Sequence, residues 1–321
     1  MMNALSANRA MTPLEWIMLL TLSLVWGGSY FFVALAVTTL PPLTIVMCRV
    51  GIASLALWAF MRFTRQIMPR DGRVWIGFFI MGLLNNAIPF SLIVWGQTQI
   101  SSGQASILNA TTPIFTVVVA HLFTRDERMT MRHVLGTGLG FAGVVVLMGE
   151  SVFGGVGDSL MAQAALLGAA ISYAFSAVFG RRFRGIGVAP MQIATGQVTA
   201  AAVLLLPLVV LVDRPWQLPP PGSITLLAVL GLALVSTAFA YVLYFRILAS
   251  AGATNLSLVT MLVPPTAILL GILVLGENLQ GHHLMGLMLI IAGLIVIDGR
   301  VAAFRRDRNW PAHVDAFLRN A

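Results

Sequence analysis

The chain is 321 residues long, 58% hydrophobic and only 9% charged, with a mean hydropathy of +0.91; soluble domains carry about 25% charged residues. That composition leaves no room for a soluble catalytic module, and the single cysteine, Cys48, excludes intrachain disulfides and cysteine-based metal sites. A net charge of +8 could suit a nucleic-acid binder, but all 19 basic residues are arginines dispersed between apolar stretches, not clustered with aromatics on one face.

A hydrocarbon core about 30 Å thick requires about 20 helical residues to cross it. Apolar segments of that length run over 16–36, 42–62, 74–95, 103–123, 131–149, 161–180, 187–212, 222–245, 253–275 and 283–299. The expected fold is an all-α integral membrane protein of ten transmembrane helices. Residues 1–15 form a tail, and the first run is longer than the 7 to 15 residues of a signal-peptide core, so it reads as a retained helix. It carries Trp26, Ser29 and Tyr30 at i, i+3 and i+4, on one helical face. The second opens at Pro42 and holds Arg49 near its centre; the third holds Asn85 and Asn86. The fourth has Asn109 and Thr112 before Pro113, with His121 at its end, and Glu127 opens the fifth, which carries Gly136, Gly140 and Gly143. A linker, 150–160, leads to the sixth helix with Ser172, Tyr173 and Ser176. The eighth contributes Thr237, Tyr241 and Tyr244, the ninth Asn255, Ser257 and Thr260 before Pro264 and Pro265, and Glu277 precedes the tenth. Residues 300–321 form the second tail.

With a cytoplasmic amino terminus, seventeen of the nineteen arginines fall on inside loops and tails: Arg9; Arg62, Arg65, Arg70 and Arg73; Arg125, Arg128 and Arg132; Arg181, Arg182 and Arg184; Arg246; and Arg300, Arg305, Arg306, Arg308 and Arg319. Arg214 alone lies outside, and Arg49 lies within a span. This is the positive-inside pattern, and it puts both termini in the cytoplasm.

The chain also repeats itself. Laying 127–149 over 277–299 pairs Glu127 with Glu277, His133 with His283, Gly136 with Gly286, Ala142 with Ala292, Gly143 with Gly293, Val146 with Val296 and Gly149 with Gly299. Further back, Pro113 meets Pro264, Gly82 and Phe90 meet Gly231 and Phe239, and Pro42, Ile45, Val50 and Ala53 meet Pro190, Ile193, Val198 and Ala201. The repeats are 16–149 and 161–299. Five spans per unit make the second copy enter the membrane upside down, the arrangement that suits alternating access about one central site. Duplication as a mere route to a large bundle is the plainer alternative.

These residues resemble the EamA family of the drug/metabolite transporter superfamily. The likeness rests on Leu24, Trp26, Gly27, Ser29 and Phe31; Pro42 to Arg49; Pro113; Glu127, Gly136 and Gly143; and Pro264, Gly276, Glu277, Gly286 and Gly293. Thr124-Arg125-Asp126 departs from the Leu-Gly common there, which implies a looser turn. The resemblance implies a ten-helix exporter or permease of the bacterial inner membrane, moving amino acids or other small metabolites.

Midspan polar groups are costly in hydrocarbon and belong on an interior or wet face. Trp26, Ser29, Tyr30, Arg49, Asn85, Asn86, Asn109, Tyr173, Thr237, Tyr241, Tyr244, Asn255 and Thr260 are the candidate lining of a substrate cavity. Interhelical hydrogen bonding is the blander role for each, worth about 0.6 kcal/mol on average. Arg49 costs about 2.5 to 3.5 kcal/mol at a helix centre and so has a job: organising the first half through carbonyls and Asn side chains, or attracting a substrate carboxylate. Pro113 and Pro264 interrupt their helices and serve as hinges or as static shaping. The glycines serve packing or dimerisation. Glu127 and Glu277 cap the fifth and tenth helices, with proton coupling as the alternative. His133, His282 and His283 lie near opposite surfaces, so no metal site or cofactor is expected. The partners are a small-molecule substrate and the lipid bilayer, with no nucleic acid, for a monomer or homodimer. The competing functions are cation or multidrug efflux, an intramembrane enzyme lacking any visible nucleophile with its base, and a channel or scaffold.

Overall fold

The computed structural model describes residues 11–124, 129–148 and 158–298. Glu127, linker residues 150–157, residues 1–10 of the first tail and the whole of the second lie outside these residues. The described residues form ten helical elements: α1 Pro13–Ala36, α2 Pro42–Phe63, α3 Gly72–Gly96, α4 Ser102–Phe123, α5 Met131–Met148, α6 Asp158–Gly180, α7 Pro190–Leu208, α8 Ser223–Gly252, α9 Val259–Leu275 and α10 Gly281–Asp298. No strand occurs among them. Seven are long and apolar enough to cross a membrane, and α5, α9 and α10 are shorter apolar helices.

Local chemistry sets the ends. α1 starts at Pro13, earlier than hydropathy suggests, because Thr12 and Glu15 form a capping box: the Thr12 N–H donates to Glu15 Oε2 at 2.7 Å and the Glu15 N–H to Thr12 Oγ1 at 3.3 Å. Ser101 and Gln104 form a second box on α4. α4 is broken into Ser102–Asn109 and Thr112–Phe123, so Pro113 sits in the first turn of the second piece, where proline is tolerated. The expected interruption at Pro264 does not occur, since α9 runs through Pro264 and Pro265. The break falls between α8 and α9 instead, at Gly252 (φ 80°, ψ 167°), a backbone region open essentially to glycine alone, and at the turn of residues 257–258.

The pairing of helices follows the repeat. α1 packs on α9 as α6 packs on α4; α2 packs on α8 as α7 packs on α3; α2 pairs with α7 and α5 with α10. The last contact is backbone against backbone, for a Cβ on Gly136 would lie 2.6 Å from the Gly293 carbonyl oxygen and one on Gly143 2.8 Å from that of Gly286. These glycines therefore join the two repeats within one chain. Gly27 does the same for α1 and α9, where a Cβ would meet the Thr266 side chain.

Two large buried clusters result, beside a small third of Phe78, Met81, Phe183 and Ala200. One gathers Leu19, Leu22, Leu108, Leu166 and Ile290 from α1, α4, α6 and α10, and the other Ile45, Val50, Phe90, Val198 and Leu232 from α2, α3, α7 and α8. Leu14, Ile17, Leu20 and Leu24 on the opposite face of α1 stay exposed, as a lipid-facing stripe would. Tyr173 touches both clusters, and a cavity lies along their seam.

Candidate functional site

The cavity has a volume of about 510 Å³ and runs from the middle of the bundle toward the end bearing Gly180, Arg181, Val188 and Pro190. Every tyrosine of the chain, Tyr30, Tyr173, Tyr241 and Tyr244, lines it. Trp26 and Ser29 on α1, Arg49 on α2, Asn85 on α3, Asn109 on α4, Thr237 on α8 and Thr260 on α9 line it too. Trp26 and Tyr244 face each other with ring centroids 5.7 Å apart, and Phe245 meets Tyr244 edge-on at 5.1 Å. The result is an aromatic wall across α1 and α8.

Two expected residues do not reach the lining. Asn86 is wholly buried behind Tyr241, to whose hydroxyl its Nδ2 donates at 3.0 Å. Asn255 turns its amide back to the Ala251 carbonyl at 3.0 Å, closing the short turn after Gly252. Several lining polar groups are satisfied within their own helix: Ser29 Oγ donates to the Trp26 carbonyl at 2.7 Å and Thr260 Oγ1 to that of Ser257 at 2.8 Å. Pro113 and Pro264 lie off the lining as well.

Arg49 is 6% exposed and its Nε–H donates to Thr237 Oγ1 at 2.9 Å. The Thr237 hydroxyl passes its own proton to the Leu232 carbonyl at 2.8 Å. The guanidinium carbon lies over the Phe90 ring, 3.7 Å from its centroid, a cation–π contact. Its anchors are thus a threonine of the second repeat and an aromatic ring, whereas sequence reasoning expected carbonyls and Asn side chains of the first half. Arginine carries five N–H donors. Beyond Nε, the structure gives its guanidinium no hydrogen bond or ion pair among the described residues, and no carboxylate lines the cavity.

At the repeat-equivalent position of Arg49 stands Gln197, which hydropathy and charge gave no reason to single out as lining. Its Oε1 accepts from Asn85 Nδ2 at 3.3 Å, while Ser176 Oγ donates to Asn85 Oδ1 at 2.8 Å. α2 and α7 therefore use the same position to reach across to the other repeat, one with a charge and one with an amide.

Both polar clusters sit on π-helical turns, Leu83–Ala87 in α3 and Gly231–Phe239 in α8, at matching places in the repeats. The wider i→i+5 turn is rare and recurs at functional sites. In α3 it brings the consecutive Asn85 and Asn86 to one partner, Tyr241, although an α-helix would turn neighbours about a quarter-circle apart. Phe90 and Phe245, also in the lining, carried no signal in an apolar sequence, and Arg181 read only as topology. Among the described residues no three of His, Cys, Asp and Glu come together as a metal group would.

The acid before α10 behaves differently from its expected role. α9 ends at Leu275, Gly276 turns left-handed (φ 67°) and the Glu277 N–H returns to the Gly271 carbonyl at 3.0 Å. This turn aims the Glu277 carboxylate at α4, where it accepts from the Ser102 and Gly103 N–H groups at 2.7 and 3.1 Å. It caps a helix of the other repeat instead of its own.

The chain matches the model of the EamA-like transporter family twice, over residues 14–149 and 160–298. It belongs to that family. It is 27% identical over 284 residues to YedA of Escherichia coli (strain K12), named an uncharacterized inner membrane transporter, spanning 87% of this chain and 89% of that one. It is 28% identical over 224 residues to a protein of Streptantibioticus cattleyicolor named a probable terminal-alkyne amino-acid exporter, spanning 68% and 72%. A solved crystal structure superposes with a TM-score of 0.64 at 21% identity, covering 88% of this chain and 96% of that one, a likeness of fold. The protein is accordingly a membrane transporter of this family.

Proposed function

We propose that the protein is a secondary carrier that exports or exchanges small carboxylate-bearing metabolites, amino acids or close relatives, by alternating access about the central cavity. The observation that carries this reading is Arg49: a guanidinium buried in the middle of the bundle, seated on the Phe90 ring and hydrogen-bonded through Nε alone, in a cavity lined by no carboxylate among the described residues. Such a group favours an anion, through paired N–H donors. A carrier for cations would want the reverse polarity. The amino-acid exporter among the relatives points the same way.

In this reading all ten helices lie in the bacterial cytoplasmic membrane as two inverted five-helix repeats, 16–149 and 161–299, with both termini in the cytoplasm. The arginine pattern supports that orientation, which makes the end bearing Arg181 cytoplasmic and the cavity inward-facing. Counterflow with purified protein in liposomes tests it: vesicles loaded with an amino acid should take up labelled partner saturably. Arg49→Gln should reduce exchange about 10- to 100-fold, the worth of a charge-assisted hydrogen-bond set. Arg49→Lys should recover part of it, keeping the charge without the fork. Normal exchange by Arg49→Gln would remove the reading, and fluxes that never saturate would mark a channel.

A further inference from the structure

Tyr241 stands four residues beyond Thr237 on α8, one turn from the anchor of Arg49 and on the side nearer the cavity mouth. On α3, Asn86 faces Tyr241 and Phe90, four residues on, faces Arg49. The Tyr241 hydroxyl accepts two amide N–H groups, from Asn86 Nδ2 at 3.0 Å and Asn85 Nδ2 at 3.3 Å. A phenol oxygen has two lone pairs and one proton. With both lone pairs engaged, the group can act toward any newcomer only as a donor.

One of the two amides is itself held: Asn85 is fixed by Ser176 and Gln197 from α6 and α7. Asn86 is sealed from the cavity with no exposed surface, and its Oδ1 has no hydrogen-bond partner among the described residues. We infer that Tyr241 is a specificity-determining residue: Asn85 and Asn86 orient its hydroxyl proton into the cavity, where it and the free edge of Arg49 grip the same anionic group of the substrate. This rests on the carrier reading above and assigns the selectivity within it. A carboxylate accepts from both donors. A carboxamide of the same shape presents one acceptor oxygen and an NH₂ that clashes with donors on every side, so the site rejects it.

The decisive measurement needs no substrate. The tyrosine Raman doublet reports whether a phenol hydroxyl donates or accepts, and with only four tyrosines the difference between wild type and Tyr241→Phe isolates this one. In ligand-free protein in nanodiscs Tyr241 should read as an acceptor, alone or together with donation to cavity water. A donor-only signature would mean that it gives its proton to an asparagine and accepts neither amide, and would overturn the inference. Counterflow with leucine, phenylalanine and glutamine, each beside its carboxamide, supplies the second arm. Tyr241→Phe should cut the preference for carboxylate over carboxamide about tenfold, and Asn86→Leu, which keeps the phenol but loosens it, should cut it less. If wild type exchanges none of the three amino acids, the carrier reading fails and the assignment with it. If it exchanges them through Arg49 while Tyr241→Phe keeps the full preference, only the assignment of Tyr241 fails.

Discussion

The two ends of the molecule are built from equivalent parts of the repeat yet are joined differently. At the end away from the cavity mouth, carboxylates of the second repeat cap helices of the first. Asp213 accepts from the Thr44 N–H at 2.7 Å and from its hydroxyl at 2.8 Å, on the first turn of α2, and Glu277 does the same for α4. Thr39 and Thr225 add a hydroxyl pair at 2.8 Å. At the mouth, the position equivalent to Asp213 is Thr64; Arg65 and Arg214, the residues after them, share left-handed backbones (φ 56° and 49°). The Thr64 hydroxyl turns back to the Phe60 carbonyl of its own helix at 2.9 Å. Gln192, equivalent to Thr44, caps its own α7 and reaches the other repeat only through a neutral bond to the Ile67 carbonyl at 2.7 Å. Carboxylates on helix N-termini are charge-assisted and aligned with the helix dipole. A symmetric fold thus carries asymmetric clasps: charged at the end away from the mouth, neutral at the mouth.

The largest effect should come from Glu277→Ala, which strands the buried Ser102 and Gly103 N–H groups at about 1 to 3 kcal/mol each. With Cys48→Ser as background and a thiol placed at Ser106 in the cavity, an impermeant reagent added from the clasped side should label the variant at least about tenfold faster. Unchanged labelling would show that Glu277 holds a local turn and no gate. Gly143→Ala should cost about 1 to 3 kcal/mol by forcing apart α5 and α10. That loss should appear as a lower melting temperature in detergent with labelling from the clasped side unaltered, because the contact belongs to neither end. Asp213→Asn keeps an acceptor but loses the charge, so its labelling increase should be several-fold and smaller than that of Glu277→Ala. Thr225→Val removes one neutral bond and should change labelling by no more than about fivefold. An order in which Thr225→Val exceeds the two acids would refute the importance of the charged clasps.

Much of the fold is legible residue by residue. The apolar segments at 42–62 and 103–123 fall within a residue or so of α2 and α4, since proline or a capping box marks each start. α7 begins at Pro190, not 187, because Gly187 is left-handed (φ 69°) and the proline supplies the first helical turn. α8 runs on to Gly252 where hydropathy ended it at 245, for Arg246 lowers the local average without breaking a helix. The site was legible in kind more than in arrangement. Polar and aromatic residues at helical spacing, such as Trp26, Ser29 and Tyr30, announce an interior face. Asn86 satisfies the same criterion and yet stands behind the lining, because a π-turn rotates it onto Tyr241.

The sequence by itself determined that this is a membrane protein, that it contains two related halves, and which polar groups cannot face lipid. Each of these follows from properties carried by single segments: transfer free energy, helical period and identity between copies. Only the tertiary structure decided that Arg49 is tethered to Thr237, 188 positions away, that Glu277 caps α4, and that the glycines of α5 meet α10 within one chain. Those choices depend on how each helix is rotated and which neighbour it meets, and a hydrogen bond or a backbone contact across the bundle leaves no periodicity in the sequence of either partner.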